Sequence, residues 1–371
     1  MRLHDIDDLP FHQHPAPFDL AATSDPHFND GYFFGFMAPG WYFIAGLRLH
    51  PNTNTVDGFA AVTHDGEQQC VRYSRALRPR YTELSVGPFT LELLERMRRQ
   101  RLVLAANPAG LQFDVELTAC APPFVETRYQ HIKYGRIIND TLRYTQVCRA
   151  TGRAVVDGTE LAVDSWHALR DHSWGIRSSM GPRSPIGGVD KPLSERDERA
   201  FRLWVPFDVG DHTGFFHSHE SRAGETLDFE GRLDFPDGTS VPLRSVRHKL
   251  EYHPGTKWVV GGSFELLGDD GRVRLYRFAS GGTPADVQGG GYYGGWHDRG
   301  SAGVYRGPET IEHDRYSASP EAQPSGPDHV PAEKRWGPTE FPVAISCEGG
   351  GEGMAHFEHT IFGGYDPYGF S

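Results

Sequence analysis

The chain has 371 residues, 38% hydrophobic and 12% aromatic, with a formal charge of −12. The acidic balance leaves no basic excess to neutralise phosphates, so a nucleic-acid groove is excluded. No apolar run is long enough to span a bilayer, and Cys70, Cys120, Cys148 and Cys347 form no CxxC pair, which argues against a zinc ribbon or a thioredoxin-type site. The N-terminus has no apolar signal core, and the expectation is a cytoplasmic protein with reduced thiols and no stable membrane insertion.

Residues 1–30, rich in Pro, His and Asp, read as an irregular arm. Strand-like runs follow at 28–36 and 41–49, and 59–63 and 68–73 flank the turn signal His64-Asp65-Gly66-Glu67. Leu93, Leu94 and Met97 stand at helical spacing, and the segment 91–101 is expected to be a short helix. Residues 102–106 and 111–119 make a hairpin about Asn107-Pro108-Ala109-Gly110; in the second strand Phe113, Val115 and Leu117 alternate with Asp114, Glu116 and Thr118. Residues 129–139 read as a turn of helix or a loop. Strands at 144–150, 152–156 and 159–163, with a tight turn at Asp157-Gly158, complete a first meander.

Residues 178–200 carry Ser, Gly, Pro and alternating charges without periodicity, as in a connection or a lid. Strands resume at 201–207, 213–218, 227–234, 241–252, 258–267 and 273–279, and 343–347 and 354–362 close the chain. The glycine-rich run 289–297 lacks the spacing and setting of a dinucleotide site and reads as a flexible aromatic loop. The pattern predicts an all-β protein with few short helices. It comprises an arm (1–30), a first β-barrel or half-barrel (31–177), a connection or lid (178–200) and a second such domain (201–371).

The densest chemistry lies in Arg170-Asp171-His172-Ser173-Trp174-Gly175-Ile176-Arg177. An acid held in an apolar pocket has its pKa raised, which would make Asp171 a proton donor, with His172 to relay the proton. Trp166 and Trp174 could stabilise a developing cation, worth about 1–2 kcal/mol each when desolvated. The structural alternative makes Asp171 an ionised partner of Arg170 or Arg177, and Trp174 a plug. His217 and His219 share a strand face, a weak metal signal with no clear third ligand, so pocket-lining histidines are the simpler reading and no metal is expected.

The core Asp171-His172-Ser173-Trp174-Gly175 resembles the Asp-His-x-Trp-Gly signature of the AttH/CrtC-like superfamily, two-domain lipocalin-like proteins that include carotenoid 1,2-hydratases. The run 28–52, ending in His50-Pro51-Asn52, is similar to the start of uncharacterised bacterial members, and Arg170 and Arg177 point to that branch. The resemblance implies two lipocalin-like domains, an apolar ligand and no cofactor. The expected function is a cofactor-independent enzyme that hydrates, isomerises or cyclises an unsaturated hydrophobic molecule such as a terpenoid, polyene, polyketide or steroid-like compound. Asp171 and His172 would be catalytic, and Trp174, Trp166, Tyr32, Trp41, Arg177 and His217 would bind substrate. The alternative is a non-catalytic carrier of the same kind of ligand. The sequence leaves the oligomeric state open, a homodimer included.

Overall fold

The computed structural model describes residues 3, 5–12, 14–182, 199–292, 294–319 and 339–371. The strands are β1 (Phe28–Ala38), β2 (Trp41–His50), β3 (Thr55–His64), β4 (Glu67–Ala76), β5 (Ser85–Val86), β6 (Phe89–Glu95), β7 (Arg99–Leu104), β8 (Leu111–Ala119), β9 (Phe124–Val125), β10 (Tyr129–Lys133), β11 (Arg136–Val156), β12 (Thr159–Arg177), β13 (Phe201–Asp208), β14 (Thr213–Glu220), β15 (Thr226–Asp234), β16 (Ser240–Tyr252), β17 (Val259–Gly268), β18 (Val273–Ser280), β19 (Ala285–Asp286), β20 (Glu309–Ser317), β21 (Thr339–Cys347) and β22 (Glu352–Ile361). Among the described residues the helical elements are short 3-10 turns, such as Asp5–Asp8 and Val287–Gly290, and no helix is long and apolar enough to cross a membrane.

The first sheet runs β20-β4-β3-β2-β1-β12-β11-β8-β7-β6-β5, with β9 and β10 also on β11, and curves into a half-barrel. The second runs β18-β17-β16-β15-β14-β13-β22-β21-β19, and an extra β18–β21 pairing closes eight of its strands into a barrel. β20 lies between barrel strands in sequence yet pairs with β4 at the edge of the first sheet. The segment carrying it therefore crosses back over the first domain.

Strand alternation gives the first sheet two faces with different work to do. Phe34, Phe36, Phe43, Ala45, Leu47 and Phe113 point inward and form the half-barrel core. Their neighbours Phe33, Met37, Tyr42, Ile44 and Leu169 point outward and share a core with Trp204, Phe215 and Met354 of the barrel. At up to about 3 kcal/mol per buried large apolar side chain, that outer core is what joins the two halves.

Three expected features differ. Segment 91–101 is not helical; it spans parts of β6 and β7, which pair directly. Leu93, Leu94 and Met97 are 38%, 46% and 48% exposed, so their spacing marks no buried helical stripe. Residues 129–139 form the β10–β11 hairpin, where Tyr134 and Gly135 have positive φ. The glycine-rich run is packed, not loose: Gly289, Gly290, Tyr292 and Trp296 are buried against the outer face, and the last three line a small recess with Gly46, Arg48, Asp57 and Phe59. Most of the expected connection, residues 183–198, lies outside the described residues. All four cysteines are free thiols.

Candidate functional site

The central motif lies on β12, whose antiparallel neighbours are β1 and β11. The register sets Tyr32 and Tyr144 beside His172, Phe34 and Gln146 beside Arg170, and Asp30 and Leu142 beside Trp174. Paired residues share a face, so these rows stack on the inner face of the half-barrel. Gly175 has φ +128°, and a Cβ there would collide with the Asp140 carbonyl. Only glycine lets β11 approach β12 so closely at the end of the motif.

His172 is the hub of this cluster. Its Nε2 lies 2.6 Å from Asp30 Oδ1 and its Nδ1 lies 3.3 Å from the Tyr144 hydroxyl. In the neutral ring Nε2–H donates to the Asp30 carboxylate, which leaves Nδ1 to accept from the phenol. Tyr32 stacks on the imidazole at 4.2 Å, Tyr144 meets it edge-on at 5.4 Å, and Trp174 lies 5.2 Å away. Burial raises the pKa of both phenols, so they are neutral O–H groups at physiological pH. The site opens to solvent at one end: the His172 and Asp30 side chains are 19% and 49% exposed. Exposed apolar side chains stand on the neighbouring hairpins, including Val125, which pairs with Tyr144, and Ile132, which pairs with Ile137.

Asp171 points the other way. Adjacent residues of a strand face opposite sides of a sheet, so Asp171 lies on the outer face in a row with Thr145, Phe33 and Gly46. It is buried, Arg143 Nη1 is 3.9 Å from Oδ2, and Oδ1 has no hydrogen-bond partner. Burial raises its pKa, and Arg143, Arg48 and Arg177 only partly offset this. Beside it Glu126 is clamped by both arms of Arg143, at 2.7 and 2.5 Å, and accepts from Thr145 Oγ1 and Trp204 Nε1. Burial alone would raise the Glu126 pKa, yet Arg143 and His217 hold it well below the carboxylate range. This is a buried polar seam between the two domains.

Among the described residues two clusters have metal-ligand composition: Glu126 with His217 and Glu230, and Glu340 with His356 and Glu358. Each already holds a guanidinium against one carboxylate, Arg143 on Glu126 and Arg202 on Glu358, which reduces the charge available to a cation. His219 belongs to neither; it faces Arg199 and Asp228.

The Tyr–His–carboxylate arrangement of His172 recurs. Tyr276–His212–Asp211, Tyr368–His248–Glu220 and Tyr42–His356–Glu340 have the same form. The His172 set differs in its surroundings. It combines an open end, three aromatic rings about the imidazole and a buried guanidinium, Arg170, over the Tyr144 ring at 5.2 Å.

Of the residues singled out in the sequence, Tyr32, His172 and Trp174 come together. Asp171, Arg177 and His217 gather on the outer face, where Arg177 reaches Ser173 Oγ at 3.5 Å and His217 Nδ1 lies 3.4 Å from Glu126. Trp166 lies six residues up β12 from His172, about 20 Å along the strand, and Trp41 stacks on His64 at that same far end. Asp30 and Tyr144 were missed, because only the strand register brings them to His172.

Comparison with known proteins bears on the fold. No curated protein matches the chain in sequence. The crystal structure of an AttH protein from Nitrosomonas europaea superposes with a TM-score of 0.54 at 12% identity, over 95% of this chain and 98% of that one. Kievitone hydratase from Nectria haematococca superposes at 0.48 with 10% identity, over 94% of each chain. CghA with Sch210972 superposes at 0.47 with 11% identity, over 91% of this chain and 89% of that one. The half-barrel followed by a closed barrel is thus the AttH-like, two-domain lipocalin-like architecture. The family model described as a family of unknown function, DUF8625, matches residues 3–371, and the chain belongs to that family.

Proposed function

We propose that this protein is a cofactor-independent enzyme that protonates an unsaturated apolar small molecule at the open end of the half-barrel, with His172 and Tyr144 moving the proton. In the acid form, His172 donates Nε2–H to Asp30 and Nδ1–H to the Tyr144 oxygen. The Tyr144 hydroxyl gives its proton to one carbon of a double bond, whose π electrons form the new C–H bond. The phenolate then recovers a proton from Nδ1. The cation left on the second carbon faces Tyr32 and Trp174, whose ring faces attract positive charge. Water capture completes a hydration, and loss of a neighbouring proton an isomerisation; attack by a second double bond closes a ring and moves the cation to a new carbon, which then loses a proton. In each outcome the released proton returns to neutral His172.

The observation that carries this reading is the imidazole held between Asp30 and Tyr144, at 2.6 and 3.3 Å, inside an aromatic cluster with a solvent-facing end. In this reading Asp171, on the outer face of the sheet, is not the proton donor. The test is product analysis by mass spectrometry after incubation with a panel of polyenes, terpenoids and unsaturated polyketides. His172→Gln and Tyr144→Phe should each lower turnover by about 100-fold or more, the usual weight of a general acid–base group, with ligand affinity kept. Recovery of every bound compound unchanged from the native protein would establish the carrier instead.

A further inference from the structure

Arg170 is 1% exposed, one row deeper in the half-barrel than His172. Its Nε donates to Gln146 Oε1 at 2.9 Å, and one Nη lies 3.7 Å from the Met97 thioether. The guanidinium lies over the Tyr144 ring and draws the phenol in the acid direction, against the larger effect of burial. Each of these partners is neutral. Among the described residues no carboxylate pairs with Arg170.

The other buried arginines hold more oxygen partners, although the Nε atoms of Arg48 and Arg72 have none. Arg72 holds Asp314 at 2.5 Å and Glu312 at 3.4 Å. Arg75 donates to five backbone carbonyls, those of Ser85, Ala76, Leu77, Arg80 and Glu83. Arg48 reaches three oxygens of Asn29 and Ser173. A guanidinium carries five N–H donors and does not deprotonate. Burying one beside a single amide oxygen, a thioether and a phenol leaves its charge without a counter-ion, which a fold does not gain from. The missing partner is a planar oxyanion, the group a guanidinium fork fits best.

We propose that Arg170 is the anion anchor of the His172 site, so that the substrate is an unsaturated apolar acid whose carboxylate seats on this guanidinium. This rests on the location of the site proposed above and names its substrate class. Arg170 and His172 are two residues apart on one strand face, about 7 Å. A carboxylate on Arg170 therefore sets a double bond a few carbons along the chain beside Tyr144 and His172. The acid enters head first, and its tail leaves past Trp174 toward exposed Val125 and Ile137.

Isothermal titration of the purified full chain with farnesoic acid, its methyl ester and farnesol tests this at pH 8. The acid should bind about 10- to 100-fold more tightly than either neutral compound, the range for a charge-assisted hydrogen-bond pair. Arg170→Gln should bring the acid down to the affinity of farnesol and leave farnesol within about threefold; Arg170→Lys should keep part of the preference. Equal binding of acid, ester and alcohol by the native protein would overturn the anchor while leaving an apolar pocket. Binding of none would overturn both. If Arg170→Gln fails to fold, the native comparison still decides. Selective acid binding together with unimpaired turnover in His172→Gln would keep the anchor and remove the catalytic reading.

Discussion

Asp57 and Asp171 occupy neighbouring rows of the outer face, and burial pushes both carboxyls above their ordinary range. For Asp57 the value is about 6, against 3.8 for the free side chain, despite hydrogen bonds from Gly303 and Ser74. His50, held neutral by its own burial, lies 3.7 Å away. A carboxyl whose folded pKa is raised stabilises the fold fully below the unfolded pKa, and that contribution is lost as pH rises through the folded one. Between about pH 4 and pH 6 this shift of roughly two units is worth about 3 kcal/mol. Urea titrations across that window should show the native protein losing stability from this source, and Asp57→Asn should flatten the loss. A slope that survives the substitution would assign it to other groups. Asp171→Asn separates the two faces of the motif: turnover should stay within about twofold of native, whereas His172→Gln loses it.

The β11–β12 pair depends on Gly175. Its positive φ and its contact with the Asp140 carbonyl leave no place for a methyl group. Gly175→Ala should therefore destabilise the protein by about 2 kcal/mol or more, the cost of a strained backbone plus a displaced strand, read as a lower melting temperature. The β6–β7 hairpin makes the opposite case. Leu93 and Leu94 are exposed, and changing both to Ser should move stability by no more than about 1 kcal/mol. Their spacing imitated a helix because two consecutive leucines at an exposed strand end satisfy a 3.6-residue period by accident. The buried positions of this hairpin, Phe89, Leu91, Leu102 and Leu104, follow the two-residue period instead.

At the scale of the molecule, the half-barrel and the barrel share one outer core. Phe33 and Tyr42 lie against His356, Phe124 against Phe215, and Arg149 reaches Asp208 at 2.5 Å. β20 ties them further, since it leaves the barrel, pairs with β4 and the chain then returns as β21. Neither half can unfold without exposing this shared surface, so differential scanning calorimetry should show a single cooperative transition. Two resolved transitions would mean that the seam carries little of the stability. Chelator treatment should leave the melting temperature and turnover unchanged, because the histidine–carboxylate clusters are already occupied by arginine; a fall would assign one of them a metal.

The sequence by itself determined the strand-rich character, most of the tight turns and the stretch around which the chemistry gathers. These are local properties: a two-residue hydrophobic period, glycine and aspartate at turns, and eight adjacent residues dense in charge and aromatic rings. It also carried enough of a family signature to anticipate the AttH-like architecture. What the tertiary structure alone decided is which neighbours in the motif work together. Asp171 and His172 are adjacent in the chain and stand on opposite sides of one sheet, and Asp30 and Tyr144 reach His172 only through the register of β1 and β11. Pairing register and sheet face are set by long-range packing, in which one residue of slip would exchange the two faces, so no local pattern along the chain records them.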